Sequence, residues 1–93
     1  MQIDEILEQV IMLCRRYSVE TVILFGSRAK GTALERSDID IAVAGGRDID
    51  ALREEVEEIP TLYKIDLVDL DTCGNELLKE DIAVYGRKIY EKI

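Results

Sequence analysis

Asp38 and Asp40 stand two residues apart in the run Asp38-Ile39-Asp40-Ile41-Ala42-Val43, whose alternation marks a β-strand. A period of two sends both carboxylates to one face and Ile39 and Ile41 to the other. At about 5 to 7 Å two like charges repel unless protons or a cation neutralise them, and an all-oxygen pair suits Mg²⁺ or Mn²⁺. Parity selects a third acid. In Tyr63-Lys64-Ile65-Asp66-Leu67-Val68-Asp69, Ile65 and Leu67 share the side expected to be buried, which puts Asp66 opposite, with Lys64. Asp66 can then face a neighbouring Asp38/Asp40 strand, and three carboxylates on adjacent strands suit two-metal phosphoryl transfer. Asp69 and Asp71 have the parity of Ile65 and Leu67 and are expected to serve the turn toward Gly74. A DxD pair by itself is commonly only a strand's solvated face, so its surroundings must decide between the two.

Gly26-Ser27 ends one strand and opens a helical turn, where backbone N–H groups and the helix dipole favour an anion and glycine permits its close approach. An ordinary strand-ending glycine followed by an N-capping serine gives the same dipeptide. Arg28, Lys30 and Arg36 add positive charge to an otherwise acidic chain, and nothing apolar in their stretch accounts for them as packing. Cations beside a phosphate cradle and opposite three acids are what a metal-bound triphosphate requires.

These residues need elements to position them. Ile3, Ile6, Leu7, Val10, Leu13 and Cys14 recur at helical spacing and predict an amphipathic first helix. Glu20 to Phe25 reads as a strand covered on both faces, and Arg28 to Ser37 is too small and polar to add much core. The Asp38–Val43 strand closes at Gly45-Gly46. Asp48 is the expected N-cap of a helix turning Ile49, Leu52, Val56 and Ile59 inward, with Pro60 as its stop. A third strand is expected over Leu62 to Leu70. Gly74 and Asn75 introduce a helix carrying Leu77, Leu78 and Ile82 inward, and Gly86 ends it before a short apolar tail, Ile89-Tyr90. The order is helix, strand, short helix or loop, strand, helix, strand, helix. With no repeat or linker, residues 1–93 are expected to form a single mixed α/β domain.

Composition excludes several classes of function. Twenty acidic against twelve basic residues give a formal charge of -8, which disfavours long nucleic acid as a partner. The chain has no histidine, so the usual zinc sites and histidine acid–base catalysis are ruled out. Cys14 and Cys73 are too few for a disulfide framework, the apolar runs are too short to span a membrane, and the acidic N-terminus lacks a signal peptide's basic start. The expected address is the cytoplasm.

Gly26-Ser27, ten residues, then Asp38-Ile39-Asp40 resembles the GSx10DxD signature of the DNA polymerase β-like nucleotidyltransferase superfamily. The stretch LFGSRAKGTALERSDIDIAV looks like the minimal nucleotidyltransferases of bacteria and archaea, and KIDLVDLD looks like their third-acid strand. The resemblance runs from Glu20 through the last helix and implies a small mixed β-sheet flanked by helices. It further implies that Gly26 and Ser27 hold the β- and γ-phosphates, that Asp38 and Asp40 ligate two Mg²⁺ ions, and that Asp66 completes the metal site nearer the attacking hydroxyl. The implied reaction is in-line attack of an acceptor hydroxyl on the α-phosphate of a nucleoside triphosphate, with ATP named by the resemblance alone. Larger relatives carry an extra helical domain for base and acceptor. Minimal ones are often paired with a small helical HEPN-type protein, as an antitoxin that adenylylates its toxin, so an oligomer or a hetero-oligomer is expected. Two other functions remain open: a binding module that masks such a partner without turnover, and transfer to a small molecule.

Overall fold

A computed structural model describes residues 2–93, which form four helices and four strands. In chain order these are α1 (Ile3–Arg16), β1 (Val19–Phe25), α2 (Ser27–Lys30), β2 (Ile39–Gly45), α3 (Ile49–Glu57), β3 (Ile65–Asp69), α4 (Glu76–Tyr85) and β4 (Arg87–Glu91). The strands make one mixed sheet in the order β3-β2-β1-β4. β1 runs antiparallel to both neighbours, whereas β2 and β3 are parallel and joined through α3, as a parallel pair requires a crossover. The expected α/β class and small mixed sheet are both found.

The two faces of the sheet bury different residues. On one, Ile39, Ile41 and Val43 of β2 pack with Ile6, Val10 and Cys14 of α1 and Leu52 and Val56 of α3. On the other, Phe25, Ala42 and Ile82 form a smaller cluster, with Ile23, Val68, Leu70 and Leu78 against it. The period-two reading of β2 therefore holds. Ile39 and Ile41 are fully buried among α1 and α3, and the even-numbered residues face the side covered by α4. That side has only one long helix, so part of it stays open at the Asp40 end.

Four details differ from the sequence reading. Arg87–Glu91 is a strand, antiparallel to β1, and not merely an apolar tail. Leu77 is 79% exposed, because α4 packs on the sheet through Leu78 and Ile82, one helical turn apart. β3 begins at Ile65, with Leu62 fully exposed ahead of it. Asp48 occupies the N-cap position of α3 with left-handed φ 50 and ψ 52, and its side chain caps nothing. By contrast, the Asn75 side chain accepts from the Leu78 amide at 3.1 Å and caps α4 as a polar N-cap should.

Candidate functional site

The sheet register assembles the site. Asp40 is the partner of Phe25 on β1 and of Asp66 on β3, so one central residue joins the strand end leading into Gly26-Ser27 to the third acid. Asp38 lies just before β2 and is exposed, whereas Asp40 and Asp66 are half-buried. The register thus brings Asp40 and Asp66 together on the face opposite Ile39 and Ile41, with Asp38 close enough for its charge to act on Asp40.

Gly26 explains how close this packing is. Its φ of 73 and ψ of -154 lie in a region that side chains other than glycine's avoid. A Cβ there would also collide with the Asp40 carboxylate. The turn that follows is short: the Gly26 carbonyl accepts from the amides of Ala29 and Lys30 at 3.1 Å each, and Gly31 reverses the chain at φ 77. Ser27 is the first residue of α2 rather than its cap, because Gly26 holds the N-cap position.

Electrostatics separate Asp40 from its neighbours. Burial, then the adjacent charges of Asp66 and Asp38, push its carboxyl above the ordinary aspartate value, against the pull of Lys64. Lys64 Nζ lies 3.6 Å from Asp66 Oδ1 across solvent-exposed surface. Among the described residues no lysine or arginine pairs with Asp38 or Asp40. Nor do any three acidic or thiol side chains among them converge closely enough to hold a metal ion by themselves. The adjacent Asp40 and Asp66 carboxylates are the hard oxygen donors that suit Mg²⁺, which keeps water and substrate oxygens in its shell and takes few protein ligands.

The basic residues have partners of their own. Arg28 Nη2 donates to the Ser37 carbonyl at 2.7 Å, and the guanidinium lies 5.0 Å from the centre of the Tyr63 ring. Its Nε is buried with no partner. Arg28 thereby ties α2 to the segment that delivers Asp38, and Tyr63 supplies the packing that the local sequence did not reveal. Lys30 Nζ pairs with Asp81 Oδ1 at 2.9 Å and sits 4.9 Å from the Tyr85 ring, clipping α2 to α4. Arg36 is exposed and lines a hollow of about 540 Å³ with Glu35, Thr61, Leu62 and Tyr63. Asp69 and Asp71 serve the turn after β3. The Asp71 carboxylate accepts from the Gly45 amide at 2.8 Å, and Asp69 Oδ1 accepts from the Asp71 amide at 3.0 Å. Tyr63 and Asp81 are the contributors that sequence reasoning missed. Each meets its cation across more than thirty residues of chain, and no local spacing announces that.

Comparison with known proteins places this geometry in context. The family model described as Polymerase beta, Nucleotidyltransferase matches residues 8–93. Over 75 residues the chain is 35% identical to a probable protein adenylyltransferase MntA of Haemophilus influenzae, covering 75% of this chain and 61% of the relative. The chain thus spans less than two thirds of that relative's length. A solved toxin–antitoxin structure with AMP-PNP is 26% identical with a TM-score of 0.67, and a mutant of the toxin–antitoxin MntA-HpeT is 26% identical with a TM-score of 0.72. Each match covers 91% of this chain and 73% of the other. With the glycine turn, the paired acids and the third acid on one open sheet end, the chain belongs to the polymerase beta nucleotidyltransferase family.

Proposed function

We propose that the chain is a Mg²⁺-dependent nucleotidyltransferase that moves AMP from ATP to a hydroxyl of a protein partner, as the antitoxin of a pair whose toxin is a small helical HEPN-type protein. The observation that carries this reading is Asp40, wedged between Gly26 and Asp66, its carboxyl raised by burial and by the neighbouring acids more than Lys64 lowers it. The relative named a probable protein adenylyltransferase supports the acceptor class. The toxin–antitoxin neighbour with AMP-PNP supports adenine and the partner.

Asp38, Asp40 and Asp66 would hold the divalent ions, which when bound supply charge neutralisation for the triphosphate and acidify the acceptor hydroxyl. The chain's own residues do the positioning. Gly26 makes room for the Asp40 carboxylate, and the tight turn over Ser27–Lys30 fixes the backbone beside it, where the phosphates would sit. Arg28 holds the loop before Asp38 in place, and Arg36 stands exposed nearby as a cation for the nucleotide. Asp66 lies on the outer strand β3 and would complete the metal site nearer the attacking hydroxyl.

One observation favours the masking function as a second reading. Leu77, Val84 and Tyr85 expose apolar surface along α4, which a stoichiometric partner could cover. Among the described residues no helix is long and apolar enough to cross a membrane. Incubating the full chain with Mg²⁺–ATP and its toxin partner, followed by intact-mass measurement, decides between the readings. An AMP-sized increase on the partner supports transfer. An unmodified stoichiometric complex supports masking and overturns it.

A further inference from the structure

β3 is an outer strand of the sheet, and only one of its edges is paired. The Ile39 amide donates to the Lys64 carbonyl at 2.9 Å and the Leu70 amide to the Val43 carbonyl at 2.9 Å. These bonds fix the alternation: the backbone groups of Lys64, Asp66, Val68 and Leu70 face β2, and those of Ile65, Leu67 and Asp69 face outward. The outward amides of Ile65, Leu67 and Asp69 find no acceptor among the described residues. The Leu67 carbonyl receives Arg53 Nη2 at 3.3 Å, which blunts this edge at one point only.

Two further features lie along the same edge. A hollow of about 270 Å³ opens beside the start of β3, where Glu57, Tyr63, Ile65 and Asp66 are among the lining residues together with Lys64, which pairs with Asp66 at 3.6 Å. Of the acids of the adjoining helix α3, Glu57 lines this hollow, whereas Asp50 pairs with Arg53 at 2.9 Å and Glu55 accepts from the Tyr17 hydroxyl. The edge therefore offers a row of backbone donors and a recess that holds Glu57 and Asp66 against the single cation Lys64.

We infer that the acceptor docks as an extended, basic-flanked polypeptide segment that adds a strand to the free edge of β3 and places its hydroxyl residue in the recess beside Asp66. Only an extended backbone completes the row of amides, and side chains of an added strand project onto the face that carries Asp66. The excess of acid in the recess, Glu57 and Asp66 against Lys64, favours basic residues beside the hydroxyl. In the transfer step the acceptor oxygen forms a bond to the α-phosphorus of ATP as the bond to the bridging oxygen breaks, pyrophosphate leaves, and the hydroxyl proton passes to solvent. This inference rests on the proposed adenylyl transfer, and it adds how the acceptor is held.

The test uses the ¹⁵N-labelled full chain and a synthetic peptide of alternating valine and threonine with a central tyrosine and terminal lysines. A matched peptide carries N-methyl groups on alternate residues of its pairing edge. Hydrogen exchange at Ile65, Leu67 and Asp69 is expected to slow at least tenfold with the first peptide and not with the second. The amides of Asp66 and Val68, already paired with β2, should not change. Unchanged exchange at millimolar peptide, or protection appearing on α4 instead, overturns the docking mode. So does equal AMP transfer to both peptides. Edge protection without transfer upholds the docking mode and counts against adenylyl transfer, whereas transfer without edge protection does the reverse.

Discussion

Replacing Asp40 by asparagine separates function from folding at one atom. Asp40 and Asp66 are register partners on adjacent strands, which lie about 4.8 Å apart, so their charges stand roughly 5 to 6 Å from one another. In a water-like dielectric that repulsion is about 0.7 kcal/mol, and partial burial with Asp38 nearby raises the total to about 1 kcal/mol. An amide in place of the carboxylate keeps the shape and removes the charge. Asp40→Asn should therefore stabilise the apo chain by about 1 kcal/mol, which for a domain of this size raises Tm by roughly 4 to 8 °C, while abolishing nucleotidyl transfer. The pH dependence has a definite sign. A carboxyl whose folded pKa lies above its unfolded value contributes stability that is present below the unfolded value and lost as pH rises through the folded one. The advantage of the variant should thus be small in acid and largest near neutrality. Thermal melts of both proteins across pH 4 to about 8, with Mg²⁺–ATP shifting only the wild type, are the assay. A destabilised variant would mean that the chain already neutralises the Asp40 charge. Retained transfer would remove Asp40 from the chemistry.

Gly26→Ala should cost about 2 to 4 kcal/mol in a denaturant titration, because it combines a disfavoured backbone conformation with a collision against the Asp40 carboxylate. Burial pushes the Cys14 thiol up to about 11, so its contribution to stability is complete below the unfolded value of 9.0 and is lost as pH rises toward 11. The loss is about 2 to 3 kcal/mol, and Cys14→Ala should lack that part of the alkaline fall in a pH series of melts. A double-mutant cycle of Arg28→Met and Tyr63→Leu should show coupling of about 0.5 to 1 kcal/mol by chemical denaturation; additive effects would refute the stacking. Leu77→Ser should leave stability within about 0.5 kcal/mol, whereas Ile82→Ala should cost about 2 to 4, and equal losses would mean that α4 packs differently.

The acids were legible because strand periodicity is a local property. Ile39 and Ile41 mark the buried side of β2, Ile65 and Leu67 that of β3, and parity alone then puts Asp40 and Asp66 on a shared face. The glycine turn was legible for the same reason, although only the fold shows that Gly26 gives way to Asp40. What stayed hidden depends on distant parts of the chain. β4 offers Ile89 and Tyr90 side by side without alternation, and its partner β1 lies some seventy residues upstream. Arg28 and Lys30 read as free cations because Tyr63 and Asp81, which engage them, are fixed by tertiary packing. Leu77 was misplaced because the helical stripe Leu77, Leu78 and Ile82 is wider than the strip of sheet available to α4.

The pairing of β1 with β4 bears on how the protein emerges from a ribosome. Thr21 and Glu91 are strand partners 70 positions apart, so most of the domain leaves the exit tunnel while one edge of the central strand is still unpaired. Helices α1 and α3 and the parallel pair β2–β3 can settle early, since their contacts are nearer in sequence. The strand that ends in the glycine turn gains its second neighbour only when Glu91 has cleared the tunnel. A nascent chain stalled before that point would expose Val22, Ile23 and Leu24 along an open edge, a target for chaperones and proteases rather than a working enzyme.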